Sequence, residues 1–267
     1  MDGSERHLKL TVQYDGTEFH GWQRQLELRT AQGLLEEACS QLFGRSVEVA
    51  GASRTDRGVH AEGQVASLAC VHPVPTDRVG RALNGLLSSD LQIVHVEPVG
   101  ADFHARFSAF GKLYRYVVDC REVARVFRRR YAYHHPRRLD VDAMVKASEC
   151  FVGEHDFAAF QCATDQQPST TVRYIDAVSV DTHDDFVEVN VWGRSFLYKM
   201  VRTMVGTLLE VGRGAWAPER VAAALETVDR RAAGPTAPPE GLCLVRVFYA
   251  EEEMASARAA WETQNVR

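Results

Sequence analysis

Residues 51–66, GASRTDRGVHAEGQVA, read as a strand, a turn and a second strand. The turn gathers Arg54, Asp56, Arg57 and His60, more ionisable groups than a tight turn needs. Working outward, residues 8–14 (LKLTVQY) alternate strictly, with Leu8, Leu10, Val12 and Tyr14 on one side and Lys9, Thr11 and Gln13 on the other. That is the pattern of a half-buried strand. Thr30 is placed to cap a helix whose apolar stripe is Ala31, Leu34, Leu35, Ala38 and Leu42. SVEVAGA and GQVASLAC supply the two strands around the turn. Thr76 is placed to cap a second helix carrying Val79, Ala82, Leu83, Leu86 and Leu87, and LQIVHVEPV closes the half as a strand. The order is β-α-β-β-α-β.

The second half repeats it. KLYRYVVD reads as a strand, and Asp140 caps a helix running through Val141, Met144, Val145 and Ser148 towards Phe151. TVRYIDAVSV and DFVEVNVW pair as a hairpin about a turn rich in aspartate. An amphipathic helix follows with Val201, Met204, Val205, Leu208 and Gly212 at helical spacing. GPTAPPEG is a proline-rich loop without a motif, and LCLVRVFYA is a closing strand. The expected class is α+β: two tandem βαββαβ (ferredoxin-like) units with mainly antiparallel sheets, joined around a central cleft. The boundary falls between Asp102 and Gly111, giving an N-terminal domain, 1–105, and a C-terminal domain, 106–267. An open polar cleft of this kind suits a bulky polymer better than a small metabolite.

The 267 residues are 45% hydrophobic and 25% charged, an ordinary globular composition. No apolar run is long enough to span a membrane, and the first residues lack the basic-then-apolar pattern of a secretory signal. Six scattered cysteines with no C-x-x-C pair point to reduced thiols in a cytoplasmic protein and offer no zinc spacing. The net charge of -5 argues mildly against nucleic acid, but its distribution does not. Residues 121–138 carry seven arginines against one glutamate, with Tyr131, Tyr133, His134 and His135 among them. Such a run is either a solvated loop or a basic stripe on an acidic body.

Phosphate-loop, dinucleotide, nucleophile-elbow and zinc-protease fingerprints are all missing, so chemistry without a cofactor or metal is the expectation. Asp56 is the first candidate for catalysis. As an ordinary Asx-turn residue it would need no cationic partner, yet Arg54 lies two residues away and shares its face if the strand persists. A carboxylate beside a guanidinium suits nucleophilic or proton-abstracting work on a sugar. His60 reads more readily as a turn or core histidine. The DFHARFSAFGKLYRY segment mixes cations with aromatics, the combination that stacks bases and grips phosphates. Tyr114 and Tyr116 within it also fit a core-facing pair. Arg202, between apolar neighbours on its helix, is either a half-buried cation needing an anionic partner or a surface arginine at the edge of the stripe.

These residues resemble the tRNA pseudouridine synthase A family. GASRTDRGVHAEGQVA is similar to its signature, with Ser53 where the family usually has glycine and Arg57 where it often has alanine. YDGTEFHGWQRQ, DFHARFSA, YRY, GEHDFAAF, MVRTMVGTLLEVG and EGLCLV also resemble family segments, in family order, between about Leu8 and Tyr249. The resemblance implies an enzyme that isomerises uridine to pseudouridine in the anticodon stem-loop of tRNA, at tRNA positions 38–40. It implies a homodimer whose cleft binds RNA, with no cofactor, metal or membrane. The family's catalytic aspartate falls on Asp56, the arginine that assists nucleotide entry on Arg54, the tyrosine that stacks on the target base on Tyr114, and the basic residue of the C-terminal active-site helix on Arg202. Phe103, His104, Ala105, Arg106 and Phe107 resemble the family's tRNA-contacting strand.

One departure stands out. Many relatives carry an arginine ahead of a T-x-x-R run, whereas this chain reads CATDQQPSTTVR, with Ser169 in its place and one extra residue. Two other functions remain open at this point: a catalytically silent tRNA-binding protein of the same fold, and a cofactor-free hydrolase of a small anionic metabolite. The first is disfavoured by the intact Asp56. The second predicts little affinity for tRNA and little dependence on salt.

Overall fold

A computed structural model describes residues 5–164 and 167–265. The chain divides into two units, Met1–Phe110 with Cys243–Tyr249, and Gly111–Leu242 with Ala250–Arg267. The division therefore falls at Phe110, and one late segment belongs with the first unit.

In the first unit the order is β1 (Arg6–Tyr14), α1 (Ala31–Phe43), β2 (Ala50–Gly51), β3 (His60–Cys70), α2 (Thr76–Asn84) and β4 (Leu91–Val99). β1 lies between β4 and β3, antiparallel to both, with Leu8 opposite Leu68 and Pro98. The far side of β3 is shared. β2 pairs antiparallel at Ala66 and Ser67, while β10 (Leu242–Phe248) pairs parallel at His60 and Ala61. The alternation of β1 is realised: Leu8, Leu10 and Val12 are fully buried and Tyr14 nearly so. Thr30 caps α1 by accepting the Gly33 N–H at 3.2 Å. Thr76 does not cap α2. Pro75 occupies the cap position without a side-chain bond, and the Thr76 hydroxyl instead accepts from Arg6 at 3.3 Å. SVEVAGA yields only the two residues of β2, so most of that expected strand is loop.

The second unit contains β5 (Gly111–Asp119), β6 (Tyr133–His134), α3 (Val141–Ser148), β7 (Gly153–Asp156), β8 (Val172–His183), β9 (Phe186–Gly193), α4 (Met200–Gly212), α5 (Arg220–Leu225) and α6 (Glu251–Asn265). Its strands run β5-β9-β8-β7 in antiparallel pairs, with β6 added parallel to β5. Asp140 caps α3 by accepting the Ala143 N–H at 3.0 Å. The aspartate-rich turn joins β8 to β9 and has Asp184 at φ 53°, a left-handed position that aspartate tolerates. Helix α4 departs from the expected amphipathic pattern, because all thirteen of its residues are buried. A helix buried on every side needs close partners all round. Each unit thus sets helices against a mainly antiparallel sheet, the α+β class. Among the described residues no helix is long and apolar enough to cross a membrane. All six cysteines are free of disulfides.

Candidate functional site

Arg54 and Asp56 share the loop between β2 and β3, and that loop is held by its buried neighbours. Ala52 N–H donates to Val65 O at 2.8 Å, extending the ladder by one residue. The Gln64 side chain, fully buried on β3, then takes both backbone groups of Ser53. Its Oε1 accepts the Ser53 N–H at 3.1 Å and its Nε2 donates to the Ser53 carbonyl at 2.7 Å. A side-chain amide has the donor and acceptor needed to imitate a neighbouring strand. The Thr55 carbonyl accepts from Trp22 N–H at 3.0 Å, and the Thr55 and Tyr14 hydroxyls are 2.7 Å apart. Buried polar groups tied in this way rigidify what they hold. With Thr55 buried, Arg54 is exposed and Asp56 half-buried. The turn closes where Val59 N–H donates to Asp56 O at 3.1 Å, and Gly58 takes φ 80°, which a side chain would strain.

His60 is a structural histidine. It is 5% exposed, its Nδ1 accepts the Gly16 N–H at 3.0 Å, and Asp15 Oδ1 lies 3.3 Å away. It ties the YDG turn to the start of β3.

Residues 103–107 are not a strand but a run of turns. Side chains take the donors that a sheet would use. His104 Nδ1 accepts from the N–H groups of Arg106 and Phe107, Ser108 Oγ from His104 N–H, and Ser67 Oγ from Ala105 N–H. The segment is consequently split in two. Ala105 is fully buried and its carbonyl accepts from the Tyr249 hydroxyl at 2.8 Å, while Phe103 packs 5.0 Å from the Tyr249 ring. Arg106 and Phe107 are exposed, with Phe107 against the His104 ring at 4.4 Å and the Arg106 guanidinium 5.6 Å from Phe107.

Tyr114 and Arg202 belong to the second unit. Tyr114 lies on β5 opposite Val191, is 6% exposed, and meets the edge of Phe196 at 5.1 Å. Tyr116, two residues on, is a core residue. Its hydroxyl donates to Pro238 O at 2.8 Å, and burial pushes its phenol above the ordinary range, with Glu240 adding to the effect. Arg202 stands in the first turn of α4, 9% exposed, and its Nε donates to Ala237 O at 2.8 Å. It is not a stripe-edge surface arginine.

The arginine-rich stretch is organised at one end. Buried Asp119 accepts the N–H groups of Arg121 and Arg125. Both side chains pair with Asp185, whose carboxyl is held below the usual range chiefly by the Arg121 hydrogen bond. Arg128, Arg129 and Arg130 are exposed, beside Phe127 at 95% exposure. Ser169 is exposed, and its neighbours Asp165 and Gln166 in the altered segment lie outside the described residues. Among the described residues no group of three or more His, Cys, Asp or Glu side chains is placed to hold a metal ion.

The residues that sequence reasoning overlooked are Gln64, Thr55 and Tyr14. A glutamine inside the apolar run of β3 was the available signal, since a buried polar side chain is uncommon and must be satisfied.

A family model described as tRNA pseudouridine synthase matches residues 10–108 and 147–250. The tRNA pseudouridine synthase A of Acetivibrio thermocellus is 43% identical over 244 residues, covering 91% of this chain and 100% of that protein. The tRNA pseudouridine synthase A 2 of Clostridium perfringens is 42% identical over 244 residues, with the same 91% and 100% coverage. The matched regions contain the Arg54–Asp56 loop, the 103–107 turns and Arg202, and on that extent of similarity the chain belongs to the tRNA pseudouridine synthase family.

Proposed function

We propose that this protein converts uridine to pseudouridine in the anticodon stem-loop of tRNA, and that Asp56 carries the reaction. The observation that carries the reading is the rigid mounting of Asp56. Gln64, Thr55, Trp22 and Tyr14 hold the loop through four hydrogen bonds of buried or part-buried groups, which is the preorganisation a reacting carboxylate needs. Substrate and product are isomers. The C1′–N1 bond breaks, the base turns, a C1′–C5 bond forms, the C5 hydrogen leaves as a proton, and N1 takes up a proton in exchange. No electron or group carrier enters that balance. Three routes suit a carboxylate: addition to the sugar, addition to the base, or removal of a sugar proton.

Arg54 assists entry of the nucleotide in this reading, Arg202 supplies positive charge to the reaction, and Tyr114 stacks on the base once it has left the RNA stack. His104, Arg106 and Phe107 contact tRNA, while Phe103 and Ala105 support that contact from the core side. The reading includes a homodimer working in the cytoplasm, where free thiols are the usual state of cysteine. Two alternatives fall away on the family assignment: a silent binding protein and a hydrolase of a small metabolite.

The test is to incubate the purified protein with an unmodified tRNA transcript and locate pseudouridine by carbodiimide modification and primer extension. Stops confined to the anticodon stem-loop are expected. Stops only elsewhere in the tRNA contradict the stem-loop assignment, and no stops at all contradict the activity.

The exposed arginines bear on tRNA binding. If residues 128–130 follow the RNA backbone, affinity falls steeply with salt. Replacing Arg128, Arg129 and Arg130 together then flattens the plot of log affinity against log salt by about two to three units, slightly under one per phosphate contact. An unchanged slope in a filter-binding titration assigns the RNA to another surface.

A further inference from the structure

The proline-rich loop after α5 has no recognisable motif, yet it makes consecutive contacts along one face of α4. Residues 234 to 237 run antiparallel to the helix from its second turn to its first. Gly234 N–H donates to Thr207 Oγ1 at 2.9 Å, and the same hydroxyl donates to the Thr203 carbonyl at 2.7 Å. The Pro235 carbonyl sits directly on Gly206, where an added Cβ would fall well inside the oxygen's contact distance. Thr236 Oγ1 lies 3.4 Å from Thr203 Oγ1. Ala237 then grips Arg202 twice. Its N–H donates to the Arg202 carbonyl at 3.0 Å, and its carbonyl accepts Arg202 Nε–H at 2.8 Å. The loop is pinned beyond both ends, by Arg230 donating to Ala233 O at 3.3 Å and by the Tyr116 hydroxyl donating to Pro238 O.

We infer that residues 234–237 form a strap that aims the Arg202 guanidinium, and that Gly206 and Thr207 are positioning residues for it; the inference rests on the proposed role of Arg202 in the reaction. A guanidinium is planar with its donors in a fixed fork, so a bond at Nε determines where the terminal nitrogens point. An arginine held this way before substrate arrives does not lose its side-chain freedom during the reaction. The strap also accounts for a glycine in the middle of a buried helix. Alanine ordinarily strengthens a helix interior relative to glycine. At position 206 the sign reverses, because the methyl group displaces the Pro235 carbonyl and with it the Ala237 grip.

Three variants test this: Thr207→Val, Thr207→Ser and Gly206→Ala, with Thr207→Val also made in an Arg202→Gln background. Single-turnover rates, tRNA Kd and Tm are measured for each. Thr207→Val keeps the side chain's shape but leaves the buried Gly234 N–H unpaired. Its rate is expected to fall about tenfold, the effect of one lost buried hydrogen bond, with Kd within about twofold of wild type. Thr207→Ser restores the rate. Gly206→Ala slows the reaction and lowers Tm instead of raising it. In the Arg202→Gln background Thr207→Val has no further effect, since coupled residues are non-additive. A wild-type rate in folded Thr207→Val, or full additivity with Arg202→Gln, would overturn the strap while leaving the proposed activity standing. A wild-type rate for Arg202→Gln itself would instead remove the role of Arg202, and the strap inference with it.

Discussion

Asp56→Asn abolishes pseudouridine formation while tRNA affinity changes by less than about tenfold, roughly 1.4 kcal/mol. Asparagine matches aspartate in size but can neither attack carbon nor remove a proton as a carboxylate does. Removing a reacting group of this kind costs on the order of ten-thousandfold or more in turnover. The loop keeps several anchors that the change leaves in place. They are the amide of Gln64, the hydroxyls of Thr55 and Tyr14, and the backbone of Trp22 and of residue 56 itself. Tm is therefore expected to stay within a few degrees of wild type. Turnover near wild type by Asp56→Asn would reduce Asp56 to an ordinary turn residue. Equal loss of turnover and of tRNA affinity would make it a binding group.

Tyr114 gives the second large effect, and it separates two roles. If the ring stacks on the base, Tyr114→Phe keeps the aromatic face and most of the activity. Tyr114→Leu loses a contact worth about 1–3 kcal/mol per base, roughly ten- to a hundredfold in rate where that contact acts mainly in the transition state. If the hydroxyl moves a proton, Tyr114→Phe falls by about a hundredfold or more. The structure adds a control. With 6% exposure and Phe196 at its edge, Tyr114 also packs the interior, so Tyr114→Leu lowers Tm. Single-turnover rates must be taken well below the Tm of each variant. If both variants match wild type there, Tyr114 serves packing alone.

Strand β1 was legible because alternation is written directly in side chains: Leu8, Leu10, Val12 and Tyr14 point one way and are buried. The caps at Thr30 and Asp140 were legible because a hydroxyl or carboxylate before an apolar stripe has one favourable partner, the free N–H groups of the first turn. Thr76 broke the same rule because Arg6, far off in sequence, claims its hydroxyl. Helix α6 was missed although Glu251, Glu252 and Glu253 favour a helix N-terminus, where the backbone dipole is positive. The strand expected over 103–107 rests on the resemblance to the family alone, since its mix of aromatics and cations carries no strand period. His104 Nδ1 and two serine hydroxyls, which no periodicity rule counts, bent it into turns.

Arg54, Asp56, Tyr114 and Arg202 could be picked out in the sequence, by residue type and by resemblance to the family. What holds them was harder to find. The Gln64 grip on Ser53 and the strap on α4 both pair a side chain or a glycine with a distant backbone group. Contacts of that kind leave no repeat in the sequence. The strap in particular uses a glycine where helical propensity argues against one, so local preference yields to a tertiary contact.

The most direct measurement is release of the C5 hydrogen from tRNA carrying tritium at C5 of its uridines. Forming the C1′–C5 bond requires that hydrogen to leave. Purified wild-type protein is expected to release tritium in step with pseudouridine formed, one for each nucleotide isomerised, without any added cofactor, and Asp56→Asn to release none. No tritium release from wild type on a tRNA that it demonstrably binds would contradict the account.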